Sequence, residues 1–351
     1  MEKKFKGKIS KNNKLYKKEN ENKVNPNSKR SKFKLVKSLR IRKESIKKIL
    51  ILQDGNLLVY SNGNILIYDK NNFSIIYKYE IELEYIQEMA QLTNEKFACC
   101  LSWPPNPWGR RIIILDISNN NIEQKQELNP IFQRKFINLL GSLTSWELVL
   151  SEVGFCEFFE FKNKKYVLKE KIEFKDNCFV LNLFELEKDK ILLIGCYDSI
   201  RNFEEDEYSL KNVILIYDIS NNKKELLFKI NPINEFKFNN IKPILLNNKC
   251  LVFIKSHIPY GLILFDINHM EFVTIICSKN QNVITCITKL SENLFLVGEY
   301  KGYVTLYSFE NNEIFEIITE KLSKKIYDIF KFNDNKFCFI NEKIVDIYEI
   351  N

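Results

Sequence analysis

Short apolar strands separated by Asn- and Asp-rich turns run through most of this 351-residue chain, and they predict an all-β fold. The strands form groups of four, and the group recurs about every 40–50 residues, which is the repeat length typical of a propeller. Seven such groups fit between residues 33 and 351. Together these observations predict a single seven-bladed β-propeller of four-stranded antiparallel blades.

The clearest group runs from Ile46 to Ile81. Its strands are IKKILIL, LLVY, ILIY and IIYKY, and its turns are QDGN, SNGN and DKNN. The strand residues are mostly β-branched, aliphatic or aromatic, whereas Asn, Asp and Gly favour tight turns. Glycine is sparse in the whole chain, at 10 residues, so we expect Asn to occupy many turn positions. We interpret this group as one complete blade.

Five more groups repeat this order of strands, beginning at Tyr85, Phe136, Cys178, Ile241 and Val283. The last group, residues 325–350, has only three strands. Third strands end at an aspartate in four groups, and the gaps between these aspartates are 47, 102 and 48 residues, the middle one spanning two groups. The aspartates are Asp69, Asp116, Asp218 and Asp266.

The strand missing from the last group is supplied by FKLVKSLRIR at residues 33–42, which has no partner strand beside it in sequence. We predict that it pairs with residues 343–350 and closes the last blade. Closure of the ring by both ends of the propeller removes free strand edges, which otherwise favour aggregation.

Aromatic–Asp pairs end several third strands and occupy the place that Trp-Asp has in WD repeats: Tyr68-Asp69, Tyr217-Asp218 and Phe265-Asp266, with Leu115-Asp116 as a weaker version. Over residues 33–351 the chain therefore resembles the WD-repeat β-propeller family. It departs from that family in lacking the Gly-His dipeptide and any Trp before Asp, so a related propeller family would fit nearly as well. The resemblance implies a propeller that binds its partners at the rim loops and the central opening.

Residues 1–32 are polar and low in complexity, and we expect a disordered basic arm there. Residues 1–43 hold 17 of the 53 basic and 3 of the 45 acidic residues, which leaves 36 basic and 42 acidic residues in the body, a net charge of −6. The arm has three interpretations: a solubilising tail, an anchor to RNA or another anionic surface, or a nuclear-import signal. Its candidate anionic-surface residues are Lys29, Arg30 and Lys32.

Three groups carry a long insert between their second and third strands, at 101–111, 197–212 and 256–261. Because this class of loop lies on one face of a propeller, we expect the inserts to gather on one rim. The candidate partner-binding residues are Trp103, Pro105, Trp108, Arg110, Arg111, Arg201, Phe203, Tyr208, His257 and Tyr260.

The first insert, LSWPPNPWGRR, gives the clearest indication of partner binding among the three. Trp and Arg dominate interface hot spots, and Pro lowers the ordering cost of binding. The alternative is a rigid loop whose tryptophans cover the neighbouring blade. The acidic run Glu204–Glu207 of the second insert is interpreted as a solvated loop, or as a surface for a basic partner or the basic arm.

No catalytic residue, metal site or cofactor is predicted. His257 and His269 are the only histidines, neither has a recognisable nucleophile partner, and no phosphate-binding loop occurs. The nine cysteines lie mostly in apolar runs without metal-ligand spacing, which is typical of buried thiols in a reducing compartment. No apolar run approaches the roughly 18–20 residues of a membrane span.

The sequence thus predicts a non-enzymatic, monomeric protein-interaction scaffold that binds other proteins of a larger intracellular assembly through its rim loops. The expected location is the cytoplasm, with the nucleus as an alternative. The rival hypothesis is an RNA- or ribonucleoprotein-associated factor that binds through the basic arm. A propeller hydrolase, the third hypothesis, requires carboxylates that converge at the centre of the ring.

Overall fold

The computed structural model describes the body of the chain, with gaps at several loops. The described residues are 33–40, 46–61, 63–81, 85–93, 95–102, 110–117, 122–128, 138–141, 148–152, 154–174, 178–187, 190–198, 210–218, 225–230, 243–247, 249–255, 260–277, 282–333, 335–341 and 344–351. The predicted arm, with Lys29, Arg30 and Lys32, lies outside them. Within the described ranges, no helix has the length and apolar character needed to cross a membrane.

The described residues form 28 strands. In chain order these are β1 (Phe33–Arg40), β2 (Ile46–Ile51), β3 (Leu57–Ser61), β4 (Asn64–Tyr68), β5 (Ile75–Glu80), β6 (Tyr85–Gln91), β7 (Lys96–Ser102), β8 (Arg110–Asp116), β9 (Glu123–Leu128), β10 (Asn138–Gly141), β11 (Leu148–Glu152), β12 (Phe155–Lys162), β13 (Lys165–Glu173), β14 (Cys178–Glu187), β15 (Lys190–Asp198), β16 (Leu210–Asp218), β17 (Glu225–Ile230), β18 (Ile244–Leu246), β19 (Cys250–Lys255), β20 (Gly261–Asp266), β21 (Glu271–Cys277), β22 (Ile284–Lys289), β23 (Leu294–Glu299), β24 (Tyr303–Glu310), β25 (Glu313–Lys321), β26 (Asp328–Lys331), β27 (Lys336–Asn341) and β28 (Ile344–Ile350).

These strands form seven four-stranded antiparallel sheets, which confirms the predicted propeller. Blades 1 to 6 are successive quartets, from β2–β5 to β22–β25, and blade 7 has the order β1-β28-β27-β26. At six of the seven junctions between blades in the described residues the first strands contact each other, including β26 of blade 7 with β2 of blade 1. Blades 4 and 5 are joined by a shared hydrophobic cluster, so the ring is closed. The first strands therefore line the central opening.

Closure by the N-terminal strand is also confirmed. In the antiparallel pairing of β1 with β28, Phe33 lies opposite Ile350 and Arg40 lies opposite Ile344. The Phe33 side chain is 7% exposed, and its ring meets that of Phe337 edge to face with 5.2 Å between centroids. The outer strand is thus fastened by burial as well as by backbone pairing.

The core is divided among the interfaces between blades. In the described residues, seven hydrophobic clusters each join two neighbouring blades. On β3, Leu57 and Val59 pack toward blade 7, whereas Leu58 and Tyr60 pack toward blade 2. Inner strands are therefore buried on both sides, which explains why they are continuous apolar runs rather than alternating ones.

In each blade, the fourth strand contains one extra residue opposite the third strand. These residues are Ile76, Lys125, Lys169, Leu227, Val273, Ile317 and, on β1, Val36. The register shift falls next to an aromatic residue of the third strand in six blades and next to Leu115 in blade 2. The aromatic residues are Tyr68, Phe159, Tyr217, Phe265, Tyr307 and Tyr348.

Candidate functional site

One face of the ring carries the turns between second and third strands, and we call it the insert face. On this face the residue that follows a fourth strand donates its backbone N–H to the carbonyl of a turn glycine in the same blade. The N–H···O distance is 2.6 Å from Ile81 to Gly63, 2.7 Å from Phe174 to Gly154 and 3.0 Å from Leu322 to Gly302. The links between blades therefore lie on the insert face too.

The opposite face carries the remaining turns, between first and second strands and between third and fourth strands. Here the residue after a third strand donates its N–H to a carbonyl of the first turn, as from Ile117 to Glu95 at 2.7 Å and from Ile267 to Lys249 at 2.8 Å. The two sets of recurring bonds separate the two faces unambiguously.

The strands that flank the three predicted inserts are β7 and β8, β15 and β16, and β19 and β20. All three pairs open onto the insert face, as expected. The inserts are shorter than predicted, because the strands extend into them and leave 103–109, 199–209 and 256–260 between them. Their candidate residues Trp103, Pro105, Trp108, Arg201, Phe203, Tyr208 and His257 lie outside the described residues.

Arg110 and Arg111 belong to strand β8 rather than to the loop before it. Nη1 of Arg111 lies 3.0 Å from Oε2 of Glu127 on the neighbouring strand β9. Both side chains are partly exposed, and an ion pair of this kind adds little to stability, about 0–1 kcal/mol. Tyr260 precedes β20 and is half-buried.

Exposed apolar side chains of the described residues fall into two groups. Seven lie on the outer strands: Leu35, Val36, Ile75, Ile76, Val167, Leu168 and Val273. The other four lie on the insert face, where the sequence analysis had not singled them out: Tyr85, Val283, Tyr300 and Tyr327, with exposures of 56%, 43%, 43% and 42%. Tyr300 N–H donates to Val283 O at 2.9 Å, so these two residues are neighbours.

Lysine side chains accompany the insert-face tyrosines of blade 6. Nζ of Lys325 lies 4.9 Å from the centroid of the Tyr300 ring, and Nζ of Lys321 lies 5.6 Å from that of Tyr303. Such contacts place positive charge over the electron-rich ring faces.

A buried polar pair lies at the same place. Asn282 and Glu299 are both buried, and Nδ2 of Asn282 donates to Oε2 of Glu299 at 2.9 Å. Oδ1 of Asn282 has no hydrogen-bond partner among the described residues. Asn282 lies in the segment that links blades 5 and 6, and Glu299 is the last residue of β23. Their hydrogen bond therefore fixes the backbone directly before Tyr300.

Chemically active groups are few in the described part of the chain. The six cysteines whose side chains the structure describes are free and buried, and burial raises the pKa of the thiols of Cys99 and Cys250, the latter to about 12. Thiols of this kind are poor nucleophiles. Among the residues that the structure describes, no set of three or more His, Cys, Asp and Glu side chains is placed to hold a metal ion.

Two carboxylates are of interest. Burial raises the pKa of Glu157, which is 4% exposed, while the positive charge of Lys171 partly opposes this effect. At the central opening, Oε1 of Glu88 lies 2.8 Å from Nζ of Lys48 and joins the first strands of blades 1 and 2. We see a structural role for this ion pair, because it bridges two blades.

No protein-family model matches this chain. No curated protein is significantly similar to it. The fold is compatible with a WD-repeat-like propeller.

Proposed function

We propose that this chain is a non-enzymatic protein-interaction scaffold that binds other proteins of a larger assembly through the insert face. β-Propellers commonly serve as interaction scaffolds. The observation that carries the proposal is the position of Tyr85, Val283, Tyr300 and Tyr327. Three exposed tyrosines, a residue type enriched at interfaces, lie together with the exposed Val283 on the face onto which the three inserts open.

The geometry around these residues also favours binding over chemistry. Tyr300 and Tyr327 donate their backbone N–H groups to Val283 O at 2.9 Å and to Ile340 O at 3.1 Å, so little backbone entropy is lost when a partner docks. Trp103, Trp108, Arg110 and Arg111 of the first insert would extend this surface. The proposed location is the cytoplasm.

Affinity capture of the full-length chain from native lysate tests the proposal. Three forms are compared: the wild type, Tyr300→Ala with Tyr327→Ala, and a control with Val167→Ala and Leu168→Ala. The control removes side chains of similar exposure from an outer strand of blade 3. We expect the tyrosine variant to lose partner proteins that the control retains. Retention of every partner by the tyrosine variant, and also by Trp103→Ala with Trp108→Ala, would count against the insert face.

The rival function, RNA association through the basic arm, rests on the arm's concentration of positive charge in the sequence. It predicts binding that disappears after nuclease treatment or on deletion of residues 1–32, and that weakens steeply with salt. Running the captures with and without nuclease therefore separates the two functions.

A further inference from the structure

Two neighbouring stretches of the insert face combine tyrosine with lysine. One is Tyr300-Lys301-Gly302-Tyr303, the turn between β23 and β24, and the other is residues 321–327, which lead from blade 6 into blade 7. Together they contain four lysines, three tyrosines and no carboxylate. We call them the basic tyrosine patch. Tyr300, Lys301, Lys321, Lys324 and Tyr327 are exposed, and Tyr303 and Lys325 are half-buried.

The two stretches form one continuous surface. Gly302 O accepts the N–H groups of Leu322 and Ser323 at 3.0 and 3.3 Å. Oγ of Ser323 in turn accepts a hydrogen bond from Nδ2 of Asn341 on blade 7 at 2.7 Å. Because each element is fastened to the next, the patch is pre-organised rather than assembled on binding.

The patch contains no Asp or Glu residue that would offset the positive charge of its lysines. The carboxylates that flank it in sequence are Glu299, which is buried and hydrogen-bonded to Asn282, Glu320, which is half-buried on β25, and Asp328, which is half-buried and accepts the backbone N–H of Ile329 at 2.9 Å. Its four lysines create a positive potential that attracts anionic groups.

The arrangement of the rings distinguishes between anionic partners. Single-stranded nucleic acid is normally held by bases that stack on open aromatic faces. Here Lys325 lies over one face of Tyr300, and Lys321 lies over one face of Tyr303. Stacking on these rings is therefore restricted, while the ammonium groups and tyrosine hydroxyls can donate hydrogen bonds to carboxylates.

We infer that the basic tyrosine patch of blades 6 and 7 binds an acidic, Asp- and Glu-rich segment of a partner protein. This inference rests on the proposed scaffold function and names the chemistry of one partner. Carboxylates meet the lysines, and apolar atoms of the segment pack against Tyr300, Tyr327 and Val283.

Fluorescence anisotropy with the full-length chain and a labelled oligo-glutamate peptide tests the inference, with an oligouridine of equal length as the competing probe. The patch variant is Lys301→Gln, Lys324→Gln and Lys325→Gln. The control variant is Lys162→Gln, Lys165→Gln and Lys249→Gln, which removes the same charge from exposed lysines of the opposite face. Both variants keep the basic arm, so their difference reports the patch, and circular dichroism verifies that both remain folded.

We expect the patch variant to bind oligo-glutamate roughly tenfold more weakly than the control variant at low salt. Equal affinities of the two variants would overturn the inference, and so would an oligouridine whose binding depends on the patch more than that of oligo-glutamate. In either case, the scaffold function would still be supported if affinity capture with the wild-type chain recovered partner proteins. Captures without any partner would overturn the scaffold function instead.

Discussion

At the residue scale, aspartate and asparagine side chains shape the turns of this propeller. Oδ1 of Asp69 accepts the backbone N–H groups of Asn71 and Asn72 at 2.9 and 3.0 Å. Asp266 does the same, with Oδ1 accepting the N–H of Asn268 at 2.8 Å. Asn163, Asn311 and Asn312 adopt positive φ values of 53°, 52° and 61°, a conformation more usual for glycine. Asp69 and Asp266 therefore have a structural role in their turns, and asparagine does replace glycine in turns, as the composition indicated.

Gly302 is the glycine whose replacement we expect to be most damaging. Its φ is +87°, and a Cβ there would lie 1.9 Å from the carbonyl oxygen of Ser323. Gly302→Ala should lower the free energy of unfolding by about 2–4 kcal/mol, because strained φ and a backbone clash add together. A urea titration measures this loss.

Gly63→Ala is the matched control. Gly63 also has a positive φ, of +79°, but its Cβ would lie 3.1 Å from the nearest atom, the carbonyl oxygen of Ile81. We expect a loss of about 1–2 kcal/mol there. Equal losses of unfolding free energy at the two glycines would show that the carbonyl of Ser323 does not lie against Gly302.

His269 is expected to make stability depend on pH. Its Nδ1 lies 2.8 Å from Oδ2 of Asp266, and this hydrogen bond raises the pKa of His269 above its ordinary value of 6.5. A raised pKa in the folded state gives stability that is complete below the ordinary pKa and is lost as pH rises through the folded-state pKa. The thermal midpoint of the wild type should therefore exceed that of His269→Gln by more at about pH 5.5 than at about pH 8.5. A difference that does not change with pH would contradict this prediction.

At the scale of the element, the outer strand of every blade has a register shift, and the outer strands of blades 1, 3, 5 and 7 also expose apolar residues. An extra residue bends and twists a strand, and it disrupts the regular row of backbone groups that another strand would need for pairing. Leu35 and Val36 on β1, and Ile75 and Ile76 on β5, are exposed beside such shifts. We infer that the shifts protect these edges from intermolecular pairing.

Phe33 tests the closure of blade 7 by β1. Phe33→Ala should lower the free energy of unfolding by about 3–5 kcal/mol, since it removes a buried ring from the contact with Phe337. Leu35→Ala on the same strand, at 49% exposure, should change stability by less than about 1 kcal/mol. Unfolding in urea compares the two variants, and an equally small effect at Phe33 would argue against the pairing of the chain ends.

The strands could be predicted closely from the sequence because each inner strand is a continuous apolar run bounded by turn residues. The register shifts could not, because they depend on pairing between strands rather than on the composition of one strand. The aromatic residue at the end of the third strand was recognised only where Asp follows it. Phe159, Tyr307 and Tyr348 take the same position without an Asp, and alignment of the groups on this aromatic position would have found them.

The candidate site was predicted in part. The two sets of turns, and hence the face of the inserts, follow from the order of strands within a blade. Tyr300 and Tyr327 were not predicted as site residues. In the sequence each stands near apolar strand residues, and its exposure depends on the path of the link between blades. Whether Trp103 and Trp108 bind partners stays a prediction.

At the scale of the whole molecule, the ring depends on a pairing between strands at opposite ends of the described chain. β1 and β28 close blade 7, and β26 meets β2, so closure needs contacts of very high sequence separation. Contacts of this kind are slow to form, because the entropy of closing a long loop must be overcome first. The resulting ring presents two different faces, and in the described part of the chain the insert face combines exposed tyrosines, lysines and the openings of the long loops.

Cross-linking mass spectrometry of the captured native complex tests the central claim most directly. Lysines report on both faces: Lys301, Lys324 and Lys325 on the insert face, and Lys162, Lys165 and Lys249 on the opposite face. If the insert face is the binding surface, cross-links to partner proteins will be concentrated at the first three lysines. Cross-links concentrated at the opposite face, or confined to the arm of residues 1–32, would contradict the account.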